Sequence, residues 1–89
     1  MFISVHHQIN NPEEFWASAQ KSLPQLPDKG VKRVLNVFPS FGMSQAICIW
    51  EAESIEVLDK YLRSKVADWS EETYFEIDVA HAMGLPGTN

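Results

Sequence analysis

Gln45-Ala46-Ile47-Cys48-Ile49-Trp50-Glu51 is the stretch that decides the fold. It is apolar at alternate positions on both sides: Ile47 and Ile49 on one, Ala46, Cys48 and Trp50 on the other. Successive side chains of a strand point to opposite faces, so this strand is predicted to be covered on both. Ala52-Glu53-Ser54 ends it, and Ser54 is placed to cap a helix.

Working outward, Phe2 to Ile9 predicts a first strand, with Ile3, Val5, His7 and Ile9 on one face and Phe2, Ser4, His6 and Gln8 on the other. Asn11 reads as an N-cap, Pro12 as the first helical residue, and Glu14 stands three past the cap. Phe15, Ala19 and Leu23 form that helix's apolar stripe, and Pro24 ends its regular part. Pro27 to Gly30 is a turn, Val31 to Phe38 a second strand, and Pro39 to Gly42 the connection into the third, which spans Met43 to Ala52. The facing of the second strand stays open by one residue. Ile55, Leu58, Leu62 and Val66 make the stripe of a second helix, flanked by Val57 and Tyr61. Glu72 to Ala80 predicts a fourth strand, with Phe75, Ile77 and Val79 on one face and Tyr74, Glu76 and Asp78 on the other; residues 82–89 are a tail.

The order β-α-β-β-α-β is the split βαβ, ferredoxin-like α+β arrangement. It puts both helices on one sheet face, expected to carry Ile3, Val5, Ile47, Ile49, Phe75 and Ile77. The first and third strands are expected as parallel central neighbours, with the fourth antiparallel beside the first. The helix-free face would then hold Phe2, Ala46, Cys48, Trp50 and Tyr74, with Ser4, His6, Glu76 and Asp78 among them. So much apolar surface on a small domain predicts an interface, most simply with a second copy across a two-fold axis. Folding of the tail over that face is the alternative.

A chain of 89 residues is one domain, 1–89. It buries only about 60–65% of its unfolded surface, so a second subunit would add stability. The net charge of −5, with seven scattered Lys and Arg, argues against nucleic acid. One Cys excludes an internal disulfide or a CxxC site. No apolar run reaches the roughly 20 residues of a membrane span. Met1 to His7 is too short and uncharged for a signal peptide, so a soluble cytoplasmic protein is expected.

Over residues 2–80 the element order and the half-polar second face resemble the dimeric α/β-barrel superfamily. Val5-His6, Cys48-Ile-Trp-Glu-Ala52 with Ser54, and Tyr74-Phe-Glu76 resemble a small subgroup with nickel-binding members. The resemblance implies a homodimer with a pocket inside each half-barrel and a divalent metal, nickel, as cofactor; zinc or copper would suit the same residue types. If Val5 lies opposite Ile77, His6 lies opposite Glu76 with Cβ atoms about 5 Å apart, and Cys48 or Trp50 falls beside His6. His6, Glu76 and Cys48 are then the candidate metal ligands. Asn36, Trp50, Tyr74 and Asp78 complete the candidate pocket. Structural readings stand beside these: His6 as a cross-strand hydrogen-bond partner, Cys48 as a small buried hydrophobe, Glu76 as an ion-pair partner, Trp50 and Tyr74 as packing. His6 and His7 point to opposite faces and cannot chelate together. Glu13-Glu14 and Glu71-Glu72 read as solvated.

Three functions remain open: a small-ligand or metal-binding protein; an enzyme resembling the superfamily's cofactor-independent monooxygenases or isomerases; or an interaction module. In the second, His6 would be the acid/base, Glu76 its orienter, and Trp50 and Tyr74 the walls for an aromatic or polyketide-like substrate.

Overall fold

The computed structural model describes residues 1–86; the last three residues of the tail, Gly87 to Asn89, lie outside the described residues. Four strands and two helices follow in the expected order: β1 (Phe2–Ile9), α1 (Pro12–Ser22), β2 (Val31–Pro39), β3 (Gln45–Ala52), α2 (Ile55–Val66) and β4 (Ser70–Glu76). The caps work as the sequence predicts. Asn11 Oδ1 accepts from the Glu14 amide at 3.2 Å, and Ser54 Oγ accepts from the Val57 amide at 3.0 Å. A 3-10 turn over Leu23–Gln25, with Pro24 inside it, finishes α1. In the turn before β2, Asp28 and Val31 exchange two backbone hydrogen bonds. Gly30, at φ 87°, lies so close to α2 that a Cβ there would sit 2.9 Å from Val57 Cγ1. That position needs glycine on both counts.

The sheet order is β2-β3-β1-β4, and every neighbouring pair is antiparallel. The expectation of parallel first and third strands is therefore overturned. The crossover through α1 brings β2 back in the direction of β1. The tight turn then reverses the chain, so β3 runs against both its neighbours.

Register sets which side chains meet the helices. Val5 lies opposite Cys48 in β3 and opposite Tyr74 in β4, and directly opposed residues share a face. The inner, helix-covered face thus carries Ile3, Val5, His7 and Ile9 from β1, and Ala46, Cys48, Trp50 and Ala52 from β3, all buried. Leu58, Tyr61, Leu62 and Val66 of α2 and Phe15 of α1 close over them. Ile47, Ile49 and Phe75 point the other way, a reversal of the expected facing for β3 and β4. The cause is local: β3 is apolar on both sides, so its alternation holds no sign, and only pairing with β1 assigns one. In β4 the chain joins the sheet at Ser70, two residues before the expected start, and Tyr74 turns inward to give its hydroxyl to Asp59 of α2 at 2.8 Å. In β2, two register shifts put Val31, Val34 and Val37 opposite inner residues and Arg33, Asn36 and Phe38 opposite outer ones.

Candidate functional site: a buried histidine and an inner cavity

The two faces separate the residues proposed for the site. His6 is on the open face, opposite Ile47 and Thr73, and its Nε2 lies 2.9 Å from Gln45 Oε1. Asn36 is on that face too, opposite Ile49. Cys48, Trp50 and Tyr74 are on the inner face, so the sheet itself lies between them and His6. Glu76 is opposite Ile3 and not His6, at the exposed end of β4. Asp78 lies beyond the strand and accepts from the amide of Ala80 and the ring of His81. His6, Glu76 and Cys48 therefore do not come together. Among the described residues no group of three His, Cys, Asp or Glu is gathered as a metal would require. This donor set does not fit nickel or zinc, whose sites need three or four converging ligands.

The inner face instead holds a site built on His7. His7 Nδ1 lies 2.9 Å from Glu72 Oε2, and these two side chains are only 2% and 6% exposed. The pair follows from register, because His7 and Glu72 are directly opposed across β1 and β4. Ser70 Oγ donates to the same Glu72 oxygen, and Phe15 packs edge-on against the imidazole with ring centroids 5.2 Å apart. Glu72, expected as a solvated residue, is thus a buried partner. The signal for His7 was present in the sequence: it shares its face with Ile3, Val5 and Ile9, and a histidine in an apolar stripe is taken inside with them. No residue pattern announced Glu72, because its role depends on the β1–β4 register.

Beside this pair lies a cavity of about 40 Å³ between sheet and helices, on a scale where one water needs roughly 10–15 Å³. His7, Phe15, Cys48, Trp50, Tyr61 and Leu62 are among its walls. Trp50 and Tyr61 meet edge to face, with centroids 5.9 Å apart. Trp50 Nε1 and Tyr61 Oη are both buried and have no hydrogen-bond partner among the described residues. An unpaired buried donor costs about 1–3 kcal/mol, so two such groups beside one cavity ask for a reason. Burial, and secondarily the charge of Glu72, pushes the Cys48 thiol up to about 12. It stays protonated at neutral pH and behaves as a wall, not a nucleophile. Burial, then the hydrogen bond to Asp59, raises Tyr74 well above its ordinary value.

Fold and site together define a ferredoxin-like α+β protein with an aromatic inner cavity. No protein-family model matches the chain, and no curated protein matches it. Among solved structures it is similar to one described as "Putative antibiotic biosynthesis monooxygenase from Nitrosomonas europaea". That likeness has a TM-score of 0.55 at 13% identity and covers 88% of this chain and 99% of the other. At that identity it shows a shared fold. No helix among the described residues is long and apolar enough to cross a membrane.

Proposed function

We propose that the inner cavity is a pocket for a small planar ligand bearing an acceptor oxygen, and that the protein acts on it as a monooxygenase-like enzyme without a metal. The observation that carries this is the pair of unpartnered buried donors, Trp50 Nε1 and Tyr61 Oη, on two aromatic side chains that line the cavity. Such pockets bind through their apolar area and orient through a few placed polar groups. A carbonyl or phenolic oxygen would accept from both donors. The fold shared with a protein described as a monooxygenase supports the choice of reaction class. The acid/base role moves from His6 to the inner face, since His6 cannot reach a ligand held there.

A ring-sized ligand needs more than the present 40 Å³. The wall that can yield is α1, which buries only Phe15 and Ser22, whereas α2 buries Leu58, Tyr61, Leu62 and Val66. Outward movement of Ala19 to Leu23 would widen the pocket without disturbing the sheet.

The open face supports a homodimer. Phe38, Ile47 and Phe75 are 60%, 50% and 64% exposed there, and Phe2 and Ile49 share that face. Native mass spectrometry should give twice the chain mass for the wild type and a single chain for Ile47→Lys; a wild-type monomer would remove the dimer.

The pocket is tested with 1,4-naphthoquinone, followed by quenching of tryptophan fluorescence, and with hydroxylated naphthalenes and anthrones in air, followed by gain of one oxygen atom in the product. Trp50→Phe and Tyr61→Phe are expected to weaken binding by about tenfold each, the worth of one hydrogen bond of roughly 1.4 kcal/mol. Equal affinity in wild type and both variants would remove the pocket. Binding without oxygen transfer across the panel would remove the monooxygenase.

A further inference from the structure

Seven Lys and Arg are scattered along the sequence, and the fold sorts them. Lys32 and Arg33 pair with Glu51 at 3.7 and 2.7 Å, and Arg63 pairs with Asp59 at 3.0 Å. Among the described residues the other four, Lys21, Lys29, Lys60 and Lys65, form no ion pair. Three of those four border one groove of about 360 Å³, between α2 and the turn before β2. In a chain of net charge −5 this is a local excess of the opposite sign.

Helical spacing builds one wall of the groove. Val57, Lys60, Tyr61 and Lys65 stand at i, i+3, i+4 and i+8, on one side of α2. Tyr61 is the buried member of that row, and Lys65 Nζ lies 5.6 Å from its ring centroid. The turn supplies the other wall with Asp28 and Lys29. Its place is fixed twice. Asp28 and Val31 exchange two backbone hydrogen bonds, and Gly30 packs against Val57 with no room for a Cβ. Lys29 is thereby held beside α2. Asp28 is the one acid on the groove, and it forms an ion pair with none of the three lysines. Burial, and after it the charge of Asp28, raises the Tyr61 hydroxyl above its ordinary value.

We propose that this groove binds a small phosphate monoester, its phosphate among Lys29, Lys60 and Lys65 and its organic part on Val57 and the lysine stems. A phosphate monoester is close to a dianion at neutral pH, and ammonium groups hold it as point charges. Lysine stems present apolar surface beneath their charged ends. Three cations with one opposing acid suit a single phosphate, whereas nucleic acid needs a longer basic track. The volume lies in the range of roughly 300–1,000 Å³ of small-molecule sites, so an organic group fits beside the anion. Tyr61 and Lys65 border the inner cavity as well, but Lys29 and Lys60 do not. The groove site is thus independent of the inner pocket proposed above.

The test is calorimetric titration of the wild-type protein with phenyl phosphate at low ionic strength. One molecule should bind per chain, more weakly as salt rises. Lys29→Gln and Lys60→Gln are each expected to weaken binding about fivefold. Lys21→Gln removes the same charge outside the groove and is expected to change the affinity by less than about twofold. Inorganic phosphate, which lacks the apolar part, should bind at least about fivefold more weakly than the ester. No saturable binding at millimolar ester, or equal losses in Lys21→Gln and Lys60→Gln, overturns the site. Inorganic phosphate that binds as tightly as the ester overturns the assignment to an ester. A second measurement needs no variant: in NMR of the wild type the backbone amides of Lys29 and Lys60 should shift with added ester. Shifts confined to the open face of the sheet would put the anion elsewhere and overturn the site as well.

Discussion

His6 and His7 sit side by side on β1, and the two faces of the sheet give them opposite fates. His6 shares the open face with Gln45, Ile47 and Thr73, and its ring is hydrogen-bonded to an exposed glutamine. His7 is buried beneath α1 against a carboxylate and next to a cavity. The same residue type is a surface group on one face and an internal polar device on the other. The difference teaches that in this fold close polar pairing follows the covered face, where a low dielectric makes an unpaired polar group costly.

The largest effect that can break this contrast is removal of one partner of the inner pair. Glu72→Ala or His7→Ala should destabilise the protein by about 3–5 kcal/mol in urea unfolding, because either leaves a buried polar group stranded. His6→Ala should change stability by no more than about 0.5 kcal/mol. Equal costs at positions 6 and 7 would erase the distinction between the faces.

The next effect is a dependence on alkaline pH. The Cys48 thiol is held from its ordinary 9.0 up to about 12 in the folded protein. Above pH 9 the unfolded chain releases that proton and the folded one keeps it. Stability from this source is therefore complete below pH 9 and is lost as pH rises toward 12. The slope is at most about 1.4 kcal/mol per pH unit. Tyr61 and Tyr74, also raised by burial, add to the fall at the upper end. In Cys48→Ala the slope between pH 9 and 10 should fall by about half, the two tyrosines supplying the rest; an unchanged slope would mean that the thiol is not in the interior.

The smallest effects are at the edges of the elements. Ser54→Ala and Asn11→Ala should each cost about 1 kcal/mol by loss of the cap bond, with little change in either histidine's environment. A larger loss at Asn11 than at Ser54 would mean that α1 is more than a yielding wall.

The sequence was legible where a local signal was unambiguous. Asn11-Pro12 and Ser54 marked both helix starts, and the alternation of Ile3, Val5, His7 and Ile9 assigned the face of β1 correctly. It was not legible where the sign of a face depended on a partner strand. Gln45 to Trp50 is apolar both ways, so nothing in it distinguishes Ile47 from Cys48. Only the opposition of Val5 and Cys48 does. That one inversion carried Cys48, Trp50 and Tyr74 away from His6 and dissolved the proposed metal set. Glu72 was hidden for the same reason: an acidic residue next to Glu71 reads as solvated until register brings it opposite His7.

The most direct test of the inner-face site is a titration of the wild-type protein with 1,4-naphthoquinone, watched by the indole N–H signal of Trp50 and the imidazole signals of His6 and His7. Occupation of the inner pocket should move Trp50 and His7 together and leave His6 where it was. Movement of His6 with Trp50 unchanged would put the ligand on the open face and contradict the site described for this protein.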